Sequence, residues 1–233
     1  MFTQIYSIQT VDEALACVNA GADAIGIACN VGKGLRIPAA VSLETGQAIF
    51  SAVRPRAVCV ALTVSDDRED IFALAESLRP DILHVCGNHF YIDAAFAAAF
   101  KSRFPEIGLL QAIPVIDEES YHLSLRLAAF CDYLILDSVA VGIDGIGAAG
   151  ITHDWQLSKR IADALRATKC KVILAGGLGP HNVRDAIKTV QPWGVDSFTR
   201  TSVPIGNGNT KKDPALVHAF ITNAKETAKE LGL

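Results

Sequence analysis

Lys171-Val172-Ile173-Leu174-Ala175-Gly176-Gly177-Leu178-Gly179-Pro180-His181-Asn182 contains a complete strand-to-helix turn. After Lys171, Val172–Ala175 form an apolar run of strand length, as expected of a strand covered on both faces. The glycine pair interrupts that run. Pro180 follows Gly179 where a helix would start, and helical periodicity continues over Asn182–Thr189. A strand, a glycine turn and a helix within twenty residues make one βα unit.

The same unit recurs along the whole chain. The pattern predicts strands at Gln4–Ile8, Ala24–Ala28, Ala57–Thr63, Asp81–Cys86, Gly108–Val115, Tyr133–Asp137, Lys171–Ala175 and Val195–Thr199. Helical stretches separate them at Val11–Ala20, Ser42–Val53, Arg68–Leu78, Asp93–Phe104, Glu119–Phe130, Trp155–Thr168, Asn182–Thr189 and Pro214–Glu230. Eight strand–helix pairs without a Pro/Gly/Ser-rich linker imply a parallel sheet with right-handed crossovers. Eight strands close a barrel, whereas an open doubly wound sheet usually has fewer and needs a switch point. The expected fold is therefore α/β, a (β/α)8 TIM barrel forming one domain over residues 1–233.

Composition agrees with a large buried core. Half of the 233 residues are hydrophobic and only 7% are aromatic, so Ala, Val, Ile and Leu must do most of the packing. A net charge of −4 gives no electrostatic reason to expect nucleic acid or an anionic membrane as partner. Apolar runs are strand-sized, too short to span a bilayer. The opening Met1–Tyr6 has neither a basic region nor a long apolar one, which argues against a targeting signal. Six scattered cysteines without a CxxC pair argue against zinc and redox motifs; a reducing cytoplasm is the expected compartment. There is no Gly-x-Gly-x-x-Gly at a strand–helix turn, no P-loop and no acidic cluster arranged for a divalent ion, so no cofactor or metal is implied.

In such a barrel, chemistry belongs on the loops at the C-terminal ends of the strands. Asp137 closes the apolar run Tyr133-Leu134-Ile135-Leu136, in surroundings suited to raising a carboxyl pKa for general acid work; the alternative is an Asp capping its own loop. Gly176 and Gly177, after strand seven, leave backbone N–H groups open beside a helix start, which suits a phosphate, although a tight turn needs glycine anyway. Arg36 lies in the glycine-flanked loop Val31–Pro38 and offers a fork to an anion, or is a solvated surface residue. His84 and Cys86 alternate along strand four and are expected to face the barrel interior. There His84 is a core residue held by a neighbour rather than a metal ligand. Thr199 and Arg200 end strand eight. The long glycine-rich segment between Asp137 and Trp155 is the kind of loop that carries function.

The order of motifs resembles the phosphoribosylanthranilate isomerase family over nearly the entire chain. The resemblance rests on Thr10-Val11-Asp12-Glu13-Ala14, Leu35-Arg36 and Asp132-Tyr133-Leu134-Ile135-Leu136-Asp137-Ser138. It continues through Ile173-Leu174-Ala175-Gly176-Gly177-Leu178, Gly194-Val195-Asp196 and Lys212-Asp213-Pro214. It implies a ribulose-phosphate-binding type of barrel and an Amadori (aldose–ketose) rearrangement in tryptophan biosynthesis. It also implies a small phosphorylated-sugar substrate, a monomer or homodimer, and no cofactor. By the same resemblance Asp137 matches the general acid, Arg36 the arginine on the anthranilate carboxylate, and Gly176-Gly177 the phosphate turn.

Several positions depart from the family. Gln4-Ile5-Tyr6-Ser7 stands where the family has Lys-Ile-Cys-Gly, so Tyr6 replaces the cysteine that takes the C2 proton. A phenol near pKa 10 is a poorer base than a thiol near 8.5. Cys86, which could replace that base, stands where the family has a histidine. Gln111 replaces a lysine, and Gly147-Ala148-Ala149-Gly150-Ile151 replaces Gly-Gly-Thr-Gly-Lys. Phe198-Thr199-Arg200-Thr201-Ser202 replaces Ser-Ser-Gly-Val-Glu; Arg200 there either crowds out a phosphate or grips it, and His84 and Thr199 complete the expected substrate contacts. The alternatives are a paralogue acting on another phosphosugar as lyase, aldolase or epimerase, and a non-catalytic barrel that binds a phosphorylated metabolite.

Overall fold

The computed structural model describes residues 1–29, 37–139, 145–206 and 209–233. Eight parallel strands close into a barrel, each hydrogen-bonded to its neighbours in chain order, with the last pairing back onto the first. They are β1 (Phe2–Ile5), β2 (Ala24–Ala28), β3 (Val58–Thr63), β4 (Ile82–Val85), β5 (Gly108–Pro114), β6 (Tyr133–Asp137), β7 (Lys171–Leu174) and β8 (Gly194–Ser197). The helices are α1 (Val11–Asn19), α2 (Leu43–Val53), α3 (Arg68–Leu78), α4 (Ala94–Arg103), α5 (Glu118–Leu127), α6 (Trp155–Leu165), α7 (Val183–Val190) and α8 (Pro214–Leu231). Among the described residues no helix is long and apolar enough to cross a membrane.

Period-two alternation divides the strand residues between two cores. One side packs against the helices, where Phe96 and Phe100 of α4 are fully buried and meet Phe72 edge-on at 5.5 Å. These rings are core. The other side fills the barrel with Ile82, Leu110, Ile135 and Ile173, above which lie Tyr6, Cys86 and Val64. Local signals set the helix starts. Thr10 and Ser42 accept the backbone N–H groups of Glu13 and Thr45 at 3.2 and 3.1 Å, and Gly21 takes the left-handed φ of +96° that ends α1.

β1 and β8 depart most from the sequence reading, the other strands by a residue at most at either end, and both departures bear on the site. β1 runs Phe2–Ile5 rather than Gln4–Ile8, because Phe2 through Ile5 pair with Gly194 through Ser197 and Phe2 stacks on Trp193 at 4.5 Å. Ser7, at φ +60°, turns the chain out of the sheet, so Tyr6 emerges at the barrel mouth. β8 likewise stops at Ser197, and Thr199–Thr201 form a 3-10 turn. Beyond it an antiparallel hairpin, β9 (Ser202–Gly206) and β10 (Asn209–Lys212), lies where no strand is expected from sequence.

Candidate active site

A pocket of about 540 Å³, counted to its open mouth, lies at the C-terminal ends of the strands. Leu62, Val64, Ile135 and Ile146 make its walls apolar, and Tyr6, His84, Cys86, Asp137 and Asp196 give it its chemistry. A smaller compartment continues toward Gly150, Gly176, Gly177 and Thr199; Asp137, Ala148, Asp196 and Phe198 line both.

Asp137 ends β6 at the boundary of the two compartments. Its Oδ1 accepts the backbone N–H of Ser138 at 2.7 Å. Gly147 leaves room for the other oxygen, since a Cβ there would stand 2.3 Å from Oδ2. Burial pushes this carboxyl up to about 7, against the Ser138 N–H, which favours the anion. It can thus carry a proton near neutral pH, as a general acid must.

Asp196 is the pocket residue that reading the sequence does not single out for the site. It occupies an inward position of β8, is 6% exposed and pairs in register with Gln4, whose Nε2–H donates to Asp196 Oδ1 at 3.1 Å. Burial and then the charge of Asp137 push it up to about 8, opposed by Gln4 and the ammonium of Lys212. Lys212 is itself buried, its Nζ donating to Phe198 O and Ser202 Oγ at 3.0 Å. The available signal was parity: an acid on the inward face of a barrel strand needs a reason to be there.

Tyr6 and His84 form a buried dyad, with Tyr6 Oη 2.9 Å from His84 Nδ1. Gly26 makes room for the phenol, because a Cβ there would come within 2.8 Å of three ring atoms. Burial and the neighbouring Asp196 charge push the Tyr6 phenol well above its ordinary value. Burial also lowers His84 to about 3, so the imidazole is neutral at physiological pH. If Tyr6 donates to Nδ1, the sole polar atom left over is the His84 Nε2–H; the reverse arrangement leaves both the phenol proton and Nε2 without partners. The first is favoured by the cost of unmade buried hydrogen bonds, and Nε2 has no partner among the described residues.

Cys86 donates its thiol proton to Ile146 O at 2.8 Å, and burial pushes it up to about 12. Burial and these hydrogen bonds thus favour the protonated forms of both Tyr6 and Cys86 at neutral pH. Gln111 points away from the barrel interior. Its Oε1 accepts the N–H of Ile92 at 2.9 Å, so it replaces the family's lysine without entering the pocket.

The glycine turn after β7 takes left-handed φ of +81° at Gly176 and +59° at Gly177. A Cβ at Gly176 would stand 2.5 Å from Ser138 Oγ, and one at Gly177 would stand 2.7 Å from the Ile151 carbonyl carbon. Ser138 Oγ donates to Ile151 O at 2.7 Å and accepts from His153 Nδ1 at 3.1 Å, while His153 Nε2 meets Ser158 Oγ at 2.8 Å. The segment after Gly145 is thereby pinned over the turn. Thr199 lines the small compartment, but Arg200 lines neither. Its exposed guanidinium donates twice to Gly150 O, at 3.2 and 2.9 Å, and so holds the loop. Arg36 lies outside the described residues; Ile37 and Pro38, which follow it, line the pocket. Among the described residues no group of three metal-ligating side chains is present.

Comparison with known proteins matches residues 7–223 to the family described as N-(5'phosphoribosyl)anthranilate (PRA) isomerase. N-(5'-phosphoribosyl)anthranilate isomerases of Halobacterium salinarum and Haloferax volcanii are each 33% identical over 225 residues. Both alignments cover 96% of this chain, and they cover 95% and 93% of those proteins. The phosphoribosyl anthranilate isomerase structure from Thermotoga maritima superposes with a TM-score of 0.76 at 26% identity, covering 97% of this chain and 99% of that one. A phosphoribosyl anthranilate isomerase in complex with reduced 1-(o-carboxyphenylamino)-1-deoxyribulose 5-phosphate superposes at 0.74 with 25% identity, with the same coverage. With its closed eight-stranded barrel and a match over nearly its whole length, the chain belongs to the PRA isomerase family.

Proposed function

We propose that this protein is an isomerase that carries out the Amadori rearrangement of a phosphoribosyl-type amino-aldose, phosphoribosylanthranilate being the first substrate to test. The observation that carries this reading is Asp137, a carboxyl held near neutrality where the apolar pocket meets the glycine-turn compartment. The sugar phosphate would lie toward Gly176 and Gly177, where α7 starts without a side-chain cap and its N–H groups favour an anion. The amine substituent would lie against Leu62, Val64 and Ile146, with Arg36 on its carboxylate.

Asp137 then donates its proton to the ring oxygen as the C1–O bond breaks and the nitrogen lone pair forms C=N⁺. General acid help of this kind is worth about 10²- to 10⁴-fold. In this role the protein serves tryptophan biosynthesis in the cytoplasm and needs only its small phosphorylated substrate, whether as monomer or homodimer. The test is loss of phosphoribosylanthranilate fluorescence on adding the purified protein. Turnover is expected, reduced about 10³-fold in Asp137→Asn. A folded wild type without turnover would retire the reading in favour of another phosphosugar.

A further inference from the structure

We infer that Asp196 is a second catalytic residue, the carboxylate that takes the C2 proton of the sugar after Asp137 has opened the ring. The inference rests on the reaction proposed above. That reaction needs a proton acceptor, and the side chain at the family's base position cannot serve. Among the described residues, five titratable side chains line the pocket. Tyr6 donates a hydrogen bond to the neutral His84 imidazole and the Cys86 thiol donates one to Ile146 O, so both keep their protons. Asp137 is committed to the ring oxygen. Asp196 remains, and it lines both compartments beside Asp137.

Its surroundings suit an anion that has to hold a proton briefly. Gln4 donates to Oδ1, and the Lys212 ammonium adds attraction. Asp137 works in the opposite sense, because the two charges repel and ionisation of both is unfavourable. The pair therefore favours a state with one proton, which is what an acid and a base in one reaction require. Gln4 and the Lys212 ammonium stabilise charge on Asp196, as the Ser138 N–H does on Asp137, so the single charge is shared within the pair. Tyr6 and Cys86 face the same cluster but stay protonated, so they add no charge.

The steps balance. Once C=N⁺ has formed, the C2–H electron pair becomes the C1=C2 bond, the C=N π pair returns to nitrogen, and the proton goes to Asp196. Asp196 then returns that proton to C1 while the 2-hydroxyl gives its own to Asp137, leaving C2 a ketone. Both carboxyls finish as they began, and no oxidant or co-reactant is needed.

The test compares Asp196→Asn with wild type in three measurements: turnover of phosphoribosylanthranilate, binding of a reduced ketose-phosphate analogue, and melting temperature. The expected result is a fall in kcat of about 10³-fold or more, with analogue Kd changed less than about threefold. A second variant, Gln4→Leu, removes the hydrogen bond to the anion. It should move the acidic limb of kcat/KM to higher pH, so that activity falls more at pH 6 than at pH 8. An Asp196→Asn variant that keeps more than about a tenth of wild-type kcat, or loses analogue binding in step with kcat, overturns the assignment, as does an unmoved Gln4→Leu profile. These results leave the proposed reaction standing if wild type turns over. A wild type that neither turns over nor binds the analogue removes both.

Discussion

Replacing Asp137 by Asn should stabilise the protein while disabling it, and the size of the gain follows from the buried carboxyl. A group raised from its ordinary 3.8 to about 7 in the folded state binds its proton more tightly there than in the unfolded chain. Folded and unfolded forms are matched below pH 3.8, and stability is then lost as pH rises through the window up to about 7. Above that window the full penalty is about 4 kcal/mol. Asp137 lines an open pocket, so solvent screens part of this and about 2 kcal/mol is expected. Asn keeps the acceptor for the Ser138 N–H and carries no charge, so it avoids the penalty. In a barrel of this size the gain corresponds to a rise of about 4–8 °C in melting temperature at pH 8. The assay is thermal unfolding of both proteins from pH 4 to 8, with activity measured on the same samples. The difference should be largest at pH 8 and shrink steadily toward pH 4. A variant no more stable than wild type at pH 8, or a difference that does not change with pH, would refute the argument that burial sets the Asp137 pKa.

Tyr6→Phe removes the hydroxyl from His84 Nδ1 and should cost about 1–3 kcal/mol in urea unfolding, while kcat stays within about tenfold. A 10³-fold loss of kcat would instead make the phenol part of the chemistry. Gly26→Ala drives a methyl into the Tyr6 ring and should cost about 1–3 kcal/mol. The penalty should disappear when Tyr6→Ala is already present, and a double-mutant cycle showing simple additivity would contradict this. Arg200→Ala releases Gly150 and should raise KM for the phosphorylated substrate several-fold with kcat little changed. A lower KM would show that the held loop obstructs the compartment.

The closed barrel was legible because strand-length apolar runs alternating with helical periodicity, repeated eight times, admit few ways to bury that much apolar surface. The positions of Asp137, Gly176 and Gly177 followed from the same pattern, since a barrel collects its strand ends on one rim. The termini of β1 and β8 were less legible. Their apolar residues continue past Ile5 and Ser197, and pairing between the first and last strands, not composition, ends them there. The hairpin of β9 and β10 likewise carries little alternation and depends on docking over Phe198 through Lys212.

Sequence alone therefore determined the architecture and the location of an acid and a glycine turn, because these depend on local periodicity and on residue types that act where they stand. Tertiary structure decided the protonation states and the partnerships. Gln4 and Asp196 are 192 positions apart yet share a hydrogen bond across the barrel seam, and Tyr6 reaches His84 across 78. Whether a thiol, a phenol or a carboxyl acts as base depends on burial and on neighbouring charges. Those are set by strand closure, which joins residues that no local reading of the chain places together.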